Sequence, residues 1–199
     1  GAKRWCTGAD WADHIYCLVN SDRGAPKRQA LSFLLITRGT PGVSVTPIEH
    51  SNLRYTASCD VHFDDVEVPV DNIVGGPEHW NRGWHKLVGP ALDVERLAVA
   101  AMALGITRGA LDDAWRYAGE RRQFGKLIGE HQAVRHKLVD LRTLFQACEH
   151  MLYHAAWLAD QGRSCAVESS MAKMFVTDHG LDIVIQCQQI LGAYGCAEE

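Results

Sequence analysis

The segment 120–132, Glu-Arg-Arg-Gln-Phe-Gly-Lys-Leu-Ile-Gly-Glu-His-Gln, places side chains suited to binding a nucleotide within one short stretch. The planar guanidinium of Arg121 matches phosphate oxygens in pairs. Phe124 and Ile128 offer apolar surfaces for an aromatic base, and Gln132 offers an amide. A charged turn between two helices would explain Arg121 and Phe124 separately, but not their spacing to the later residues. The candidate binding residues are Arg121, Gln123, Phe124, Ile128, His131 and Gln132.

A carboxylate that could act as a base lies in Leu92-Asp-Val-Glu-Arg96, at the start of a long helical pattern. Beside an apolar pocket, the pKa of a carboxylate rises toward working pH, as a general base requires. Glu95 is the candidate base, and Asp93 and Arg96 are candidate substrate-binding residues. Alternatively, Glu95 is an acid of the first helical turn, favoured by the helix dipole and paired with Arg96 or Arg121.

Two further segments carry groups suited to a flat, phosphate-bearing cofactor. Gly1-Ala-Lys-Arg-Trp-Cys-Thr-Gly8 offers the indole of Trp5 as an apolar wall and the Thr7 hydroxyl as a hydrogen-bond donor. In Gln189-Ile-Leu-Gly-Ala-Tyr-Gly195, small residues would let backbone amides approach a phosphate. The alternatives are a buried core Trp and a helix C-cap followed by a loop. The candidates in the second segment are Gln189, Gly192 and Ala193.

The first part of the chain, to about residue 75, has the pattern of antiparallel strands separated by turns. Alternation in Cys59, Val61 and Phe63 changes phase at Asp64-Asp65, which indicates a bulge or a turn there. The predicted strands are His14–Ser21, Ala30–Thr37, Val43–Ile48 and Ala57–Val68.

From about Pro90 the apolar residues recur at helical steps. The first helix would bury Leu97, Ala101, Leu104, Leu111 and Trp115. The second would bury a stripe from Val134 to Leu158 and end at Gln161-Gly162. The third, from about Ser164 to Leu191, would turn inward Met171, Met174, Phe175, Leu181, Val184 and Ile185. We therefore expect an α+β chain: an antiparallel β-barrel or sandwich-like domain (1–75), a linker (76–89) and a long-helix up-down bundle (90–199).

Bulk composition excludes several classes of protein. A net charge of −4 over 199 residues, with both signs interspersed, does not indicate a nucleic-acid-binding surface. No apolar run is long enough to span a bilayer, so no membrane insertion is expected. Seven irregularly spaced cysteines favour buried, reduced thiols in a cytoplasmic or mitochondrial-matrix compartment. His150 and His154 have the i, i+4 spacing of metal ligands, but without an evident third ligand a solvated helix face is expected.

These segments resemble those of the acyl-CoA dehydrogenase family. The connection resembles Arg-x-x-Phe-Gly-x-x-Ile…His-Gln, and the opening resembles Gly-x-Lys-x-Trp-Ile-Thr. The segment at 189–195 resembles Gln-x-x-Gly-Gly-x-Gly, with Ala193 in place of the second glycine. The stretches 63–65 and 151–162 are similar to the crotonobetainyl-CoA reductase branch. Like isovaleryl-type members, that branch carries a Glu at the position of Glu95, whereas other members place the base in a distal Glu-Gly-Thr segment.

The resemblance implies FAD-dependent α,β-dehydrogenation of an acyl-CoA thioester. Trp5 would cover the flavin ring and Thr7 would hydrogen-bond near its N5 atom. Arg121 and Phe124 would contact the FAD of a neighbouring subunit, in a homodimer or homotetramer, and an electron-transferring flavoprotein would reoxidise the flavin. The family's second donor to the thioester carbonyl lies in the distal segment. The chain would then be a fragment, truncated at both ends and inactive alone.

Three alternatives remain open. The reaction could run in reverse, as an enoyl-CoA reductase acting on a crotonobetainyl-CoA-like substrate. A flavin-dependent monooxygenase on the same fold is a second possibility, against which Glu95 argues. A non-catalytic oligomerisation fragment is the third. Acyl chain length and branching are not readable from the residues.

Overall fold

The computed structural model describes residues 1–51, 55–87 and 90–197. The chain divides into two compact units, Gly1–Val88 and Gly89–Glu199. The first unit contains strands and the second contains long helices, which confirms the predicted α+β class.

Five strands form two sheets in the first unit, hereafter the β unit. They are β1 (Ala2–Thr7), β2 (His14–Asn20), β3 (Leu31–Thr37), β4 (Val43–Ile48) and β5 (Ser58–Phe63), followed by a short helix, α1 (Gly83–Leu87). One sheet has the order β1-β5-β4 and the other pairs β2 with β3, all antiparallel. Within the described residues the sheets share no strand, so they form a sandwich-like pair and not a closed barrel.

Apolar side chains from both sheets form one core in the β unit. Ile15 and Cys17 from β2 and Ile36 from β3 meet Cys59 and Val61 from β5. Strand alternation explains this, because every second residue points to the same face.

The last predicted strand is shorter than expected. It ends at Phe63 and does not continue to Val68, because Asp65 has a left-handed φ of 44° and turns the backbone. Val66 and Val68 still pack against the core, outside a strand. The phase change at Asp64-Asp65 is therefore a turn.

Three long helices form the second unit, hereafter the helical unit. They are α2 (Pro90–Glu120), α3 (Gln132–Asp160) and α4 (Ala166–Leu191), with a two-stranded hairpin, β6 (Arg122–Gln123) and β7 (Lys126–Leu127), between α2 and α3. Arg108 of α2 pairs with Glu149 of α3 and its guanidinium lies over the Phe145 ring. The helix α3 ends at Asp160 and is followed, as predicted, by Gln161-Gly162, where Gly162 has a φ of 66°.

The predicted stripe of α3 is buried from Leu138 to Leu158, whereas its first predicted residue, Val134, is only partly buried. For α2, Leu104 and Leu111 are buried, but Ala101 and Trp115 are exposed and the prediction for these two is wrong. Since α2 carries apolar and small residues around most of its circumference, spacing alone cannot define its buried face.

The predicted inward face of α4 is wrong. Met171, Met174, Leu181 and Ile185 are exposed, while Phe175 and Val184 are only partly buried. Small side chains face inward, because α2 and α4 approach each other closely at Gly180. The buried residues of α4 are Ser169, Ala172, Val176, Gly180, Ile183, Cys187 and Ile190.

All seven cysteines are free thiols, five of them buried and only Cys196 fully exposed, as the sequence predicts. Burial raises the pKa of six of them, and raises the pKa of Cys187 to about 11. None of the helices in the described part of the chain is long and apolar enough to cross a membrane.

Candidate flavin and acyl-CoA site

The hairpin between α2 and α3 turns at Phe124-Gly125. Both residues have positive φ values, 54° and 83°, which is the backbone of a two-residue type I′ turn. For Phe124 this conformation costs on the order of 1–2 kcal/mol, since its Cβ crowds the following carbonyl oxygen. Phe124 is 92% exposed, so burial within the described residues does little to offset that cost. A strained and exposed aromatic side chain indicates a functional position.

Hydrogen bonds and a ring contact join the residues of the predicted binding segment. The Ile128 amide donates to the Arg121 carbonyl oxygen at 2.8 Å. The Phe124 and His131 rings meet edge to face, with centroids 6.2 Å apart, and His131 Nε2 lies 3.3 Å from the Gln123 carbonyl oxygen. The side chains of Arg121, Gln123 and Gln132 are exposed, and Ile128 packs against the helical core.

Arg135 braces this segment, a role that spacing alone did not indicate. Its guanidinium donates to the carbonyl oxygens of Gly129 and Glu130, at 3.5 and 3.4 Å. Gly129 lies close to α2, since only its missing Cβ leaves room: a Cβ there would be 2.9 Å from the Ala118 carbonyl oxygen. The connection is therefore held in one conformation.

The second predicted phosphate-binding segment lies at the same end of the helical unit. The Tyr194 ring is 6.0 Å from that of Tyr117, one turn before Arg121. Gly192 ends α4 with a φ of 62°, and nothing lies within 4 Å of where its Cβ would be. Gln189 and Ala193 are exposed. This geometry is compatible with both interpretations, a helix C-cap and an exposed backbone that could contact a ligand.

Glu95 lies near the other end of α2. A helix rises about 1.5 Å per residue, so its Cα is about 38 Å from that of Glu120. Arg96 donates to Asp93 Oδ1 at 2.8 Å. Glu95 is exposed and forms no hydrogen bond or ion pair with the described residues, so its expected pairing with Arg96 or Arg121 is wrong.

The neighbours of Glu95 on the helix surface are apolar. One turn away on either side lie Ala91, Ala98 and Val99, all exposed, and Val94 beside it is 60% exposed. Glu95 therefore lies exposed among apolar residues on the surface of α2.

Trp5 lies in the β unit with a left-handed φ of 61°, at an irregularity in the pairing of β1 with β5. Its ring is 61% exposed, so the alternative of a buried core Trp is wrong, and the Arg4 guanidinium lies 5.3 Å from the ring centroid. Thr7 Oγ1 is 2.9 Å from Ser58 Oγ.

Each unit, taken by itself, carries exposed residues whose types suit part of a flavin dinucleotide. In the β unit, Trp5 offers an exposed aromatic ring, and in the helical unit so does Phe124; both residues have left-handed backbone conformations. Arg121 offers a free guanidinium for a diphosphate, and Gly192 an unobstructed backbone. For a metal the described residues offer no group of three His, Cys, Asp or Glu side chains.

The fold is that of a class of oxidoreductases with solved members. Butyryl-CoA dehydrogenase from Megasphaera elsdenii superposes with a TM-score of 0.92 at 29% identity, over 100% of this chain and 51% of that chain. The model of the acyl-CoA dehydrogenase middle domain matches residues 1–66, and that of the acyl-CoA dehydrogenase C-terminal domain matches residues 81–199. The chain therefore belongs to the acyl-CoA dehydrogenase family, whose members are FAD-dependent.

Sequence comparison with curated proteins gives the same family. Cyclohexane-1-carbonyl-CoA dehydrogenase from Syntrophus aciditrophicus is 37% identical over 98% of this chain and 50% of the relative. The caffeyl-CoA reductase-Etf complex subunit CarC from Acetobacterium woodii is 34% identical over 100% of this chain and 52% of the relative. The chain spans about half the length of the curated relatives it matches.

Proposed function

We propose that this chain serves FAD-dependent α,β-dehydrogenation of an acyl-CoA thioester, with Glu95 as the base. One observation carries the proposal: Glu95 is an exposed carboxylate on an apolar helix surface, without an ion-pair partner among the described residues, in a chain of the acyl-CoA dehydrogenase family. An unpaired carboxylate can accept a proton without first breaking an ion pair.

The pairing of Asp93 with Arg96 supports this role. A guanidinium bonded to Glu95 would stabilise the carboxylate and weaken it as a base. Because Arg96 is bonded to Asp93 instead, Glu95 keeps both oxygens available for the α-proton of the substrate. The Asp93–Arg96 ion pair would also contact the acyl-CoA and orient it.

When bound, FAD supplies the acceptor for the β-hydrogen of the substrate, which leaves as hydride. Trp5 would cover the flavin ring and Thr7 would hydrogen-bond to it. Arg121 and Phe124 would bind the adenosine and diphosphate half, with Gln189, Gly192 and Ala193 nearby. Glu95 and Glu120, the residue before Arg121, lie about 38 Å apart on α2, so the proposed base and the proposed adenosine-binding residues are at opposite ends of this helix. We infer that the site is completed by a second copy of the chain, in a homo-oligomer.

The proposed base is tested by Glu95→Gln, which removes the basic oxygen and keeps the shape of the side chain. Loss of a general base lowers the rate about 10²–10⁴-fold. The variants are made in a protein of the relatives' full length that contains this chain, and stopped-flow bleaching of its flavin band by butyryl-CoA or cyclohexane-1-carbonyl-CoA measures this rate. Glu67→Gln, at an exposed glutamate of the β unit, is the control and should bleach at the wild-type rate. Bleaching by Glu95→Gln within a few-fold of wild type would rule out this base.

The shared FAD site is tested by visible absorption together with size-exclusion mass after incubation with FAD. A resolved flavin band on a dimer or larger species is expected, and Arg121→Ala should weaken both flavin retention and association. A flavin band on a monomer, or a wild-type response of Arg121→Ala, would contradict a shared site. A colourless oligomer would favour the non-catalytic oligomerisation fragment.

A second candidate function is reduction of an enoyl-CoA, favoured by the similarity to the caffeyl-CoA reductase subunit. The residues that bind the thioester and move the α-proton would be the same, so Glu95 would donate the proton to the α-carbon. An electron-transferring flavoprotein would be the electron partner in either direction. The ratio of the initial rates with saturated and α,β-unsaturated acyl-CoA, measured with the same flavoprotein, distinguishes the two.

A further inference from the structure

Three thiols meet in the core of the β unit, and the proposed function uses none of them. Cys6 lies on β1, Cys17 on β2 and Cys59 on β5, and all contribute to the same apolar cluster. Cys17 and Cys59 are buried, with Cys59 0% exposed, whereas Cys6 is partly exposed. The cluster therefore has one thiol open to solvent and two behind it.

Cys6 and Cys59 lie directly opposite each other on neighbouring antiparallel strands. Opposed residues of such strands have Cα atoms about 4.5–5.5 Å apart, which is within the range of about 4.4–6.8 Å that a disulfide spans. The next pair along the ladder is Thr7 and Ser58, whose hydroxyl oxygens are 2.9 Å apart. Side chains across β1 and β5 are thus in contact at this point.

Cys17 is not the partner of Cys6, although it belongs to the same cluster. It lies on β2, in the facing sheet. Packed sheets are about 10 Å apart, beyond the roughly 7 Å limit on the Cα separation of a disulfide. Geometry therefore selects Cys59 over Cys17.

We propose that Cys6 and Cys59 are a redox-active dithiol that forms a reversible disulfide by exchange with a small-molecule disulfide such as oxidised glutathione. The Cys6 thiolate attacks one sulfur of the reagent, giving a mixed disulfide and one free glutathione thiol. The Cys59 thiolate then attacks the Cys6 sulfur, closing the β1–β5 disulfide and releasing the second glutathione. The protein loses two electrons and two protons, and the reagent gains them.

Burial raises the pKa of both thiols, and the neighbouring groups act in both directions. The Lys3 ammonium, on the same strand, favours the Cys6 thiolate, while burial and Asp60 of β5 oppose it. For Cys59, burial and the charges of Asp10 and Cys6 oppose the thiolate, while the backbone amides of Asp10 and Ala9 favour it. Because burial is the larger effect and raises the pKa of both thiols, exchange is slow at neutral pH and accelerates in alkaline solution.

The test is incubation of the protein with oxidised glutathione, followed by peptide mapping by mass spectrometry without reduction. Wild type should yield a Cys6–Cys59 linked peptide with no glutathione on Cys6. Cys59→Ala should retain glutathione on Cys6 as a stable mixed disulfide, since the second thiol is gone. Cys17→Ala should behave as wild type. Exposed Cys196, with no opposed cysteine, is an internal control and should retain glutathione in every variant.

Several results would overturn the proposal. They are a stable glutathione adduct on Cys6 in wild type, a Cys6–Cys17 linked peptide, and no change at Cys6 when Cys196 is fully modified. Circular dichroism of each variant before oxidation shows whether it is folded. If Cys59→Ala does not fold, two other results test the proposal. Wild type must form the Cys6–Cys59 link, and the Cys6→Ser variant must leave Cys59 unmodified.

Discussion

Oγ1 of Thr107 on α2 lies against the Cα of Gly180 on α4, in the space that any larger residue at 180 would need. A Cβ on Gly180 would be 2.7 Å from this oxygen. Thr107 is 2% exposed, and its hydroxyl donates to the Ala103 carbonyl oxygen at 2.8 Å, which fixes its rotamer. The contact sets how closely the two helices approach.

Gly180→Ala should therefore destabilise the helical unit. Overpacking of a close contact costs about 1–3 kcal/mol, more than the gain of up to about 1 kcal/mol that alanine brings to a helix interior. Denaturant unfolding followed by circular dichroism measures the difference. Gly109→Ala, on an open face of α2 with nothing within 4 Å, should be neutral or stabilising. Thr107→Ala should remove most of the penalty of Gly180→Ala, and equal penalties in both backgrounds would contradict the contact.

Phe124→Asn should stabilise the helical unit while weakening FAD retention. Asparagine followed by Gly125 is a favoured pair for a type I′ turn, so about 1 kcal/mol of backbone strain is relieved. Since Phe124 is 92% exposed, the packing lost is small and consists of its edge contact with His131. Thermal unfolding and flavin absorption measure the two effects. Phe124→Leu keeps the strain and should not stabilise; a gain in stability equal to that of Phe124→Asn would show that backbone strain is not the cause.

The sequence predicted the elements better than the faces that they bury. Helix α3 has a single apolar stripe, and its buried residues were predicted correctly. Helix α4 carries Met171, Met174 and Leu181 on one side and small or β-branched residues on the other. Which side faces inward depends on the fit to Thr107, a tertiary contact that periodicity does not contain.

The residue types of the candidate site could be read from the sequence, but its geometry could not. Residue types pointed to Arg121, Phe124 and Trp5 as binding residues. Their exposure and the left-handed backbones of Trp5 and Phe124 required the structure, since neither aromatic residue favours that conformation. The hairpin at Phe124-Gly125 was also missed, because strands of two residues leave no periodic signal.

Gly42→Ala should strongly destabilise the β unit. Gly42 has a φ of 86°, and a Cβ there would lie 2.0 Å from the Asp64 carbonyl oxygen, which is a severe steric clash. Its own carbonyl oxygen accepts a hydrogen bond from the Asp64 amide at 3.0 Å, so the turn cannot move away freely. We expect a loss of about 2–4 kcal/mol, combining left-handed strain with overpacking. Gly39→Ala, in the same turn with open space around it, should change stability by less than about 1 kcal/mol. Similar losses for the two variants, in urea unfolding followed by tryptophan fluorescence, would argue against a specific clash at Gly42.

Cys187 should make the stability of the helical unit fall in alkaline solution. Burial raises the pKa of this thiol from 9.0 to about 11, because the thiolate loses its hydration inside the core. The unfolded chain loses the proton near its ordinary pKa, while the folded protein holds it until about pH 11. Stability is therefore fully present below pH 9 and decreases as pH rises toward 11, by about 2–3 kcal/mol from this group.

Urea unfolding at each pH tests this. Cys187→Ala should be less stable than wild type at pH 7 but should lose less stability between pH 9 and 11. Cys196→Ala, at an exposed thiol, should keep the wild-type slope. Parallel curves for wild type and Cys187→Ala would show that the alkaline loss has another source.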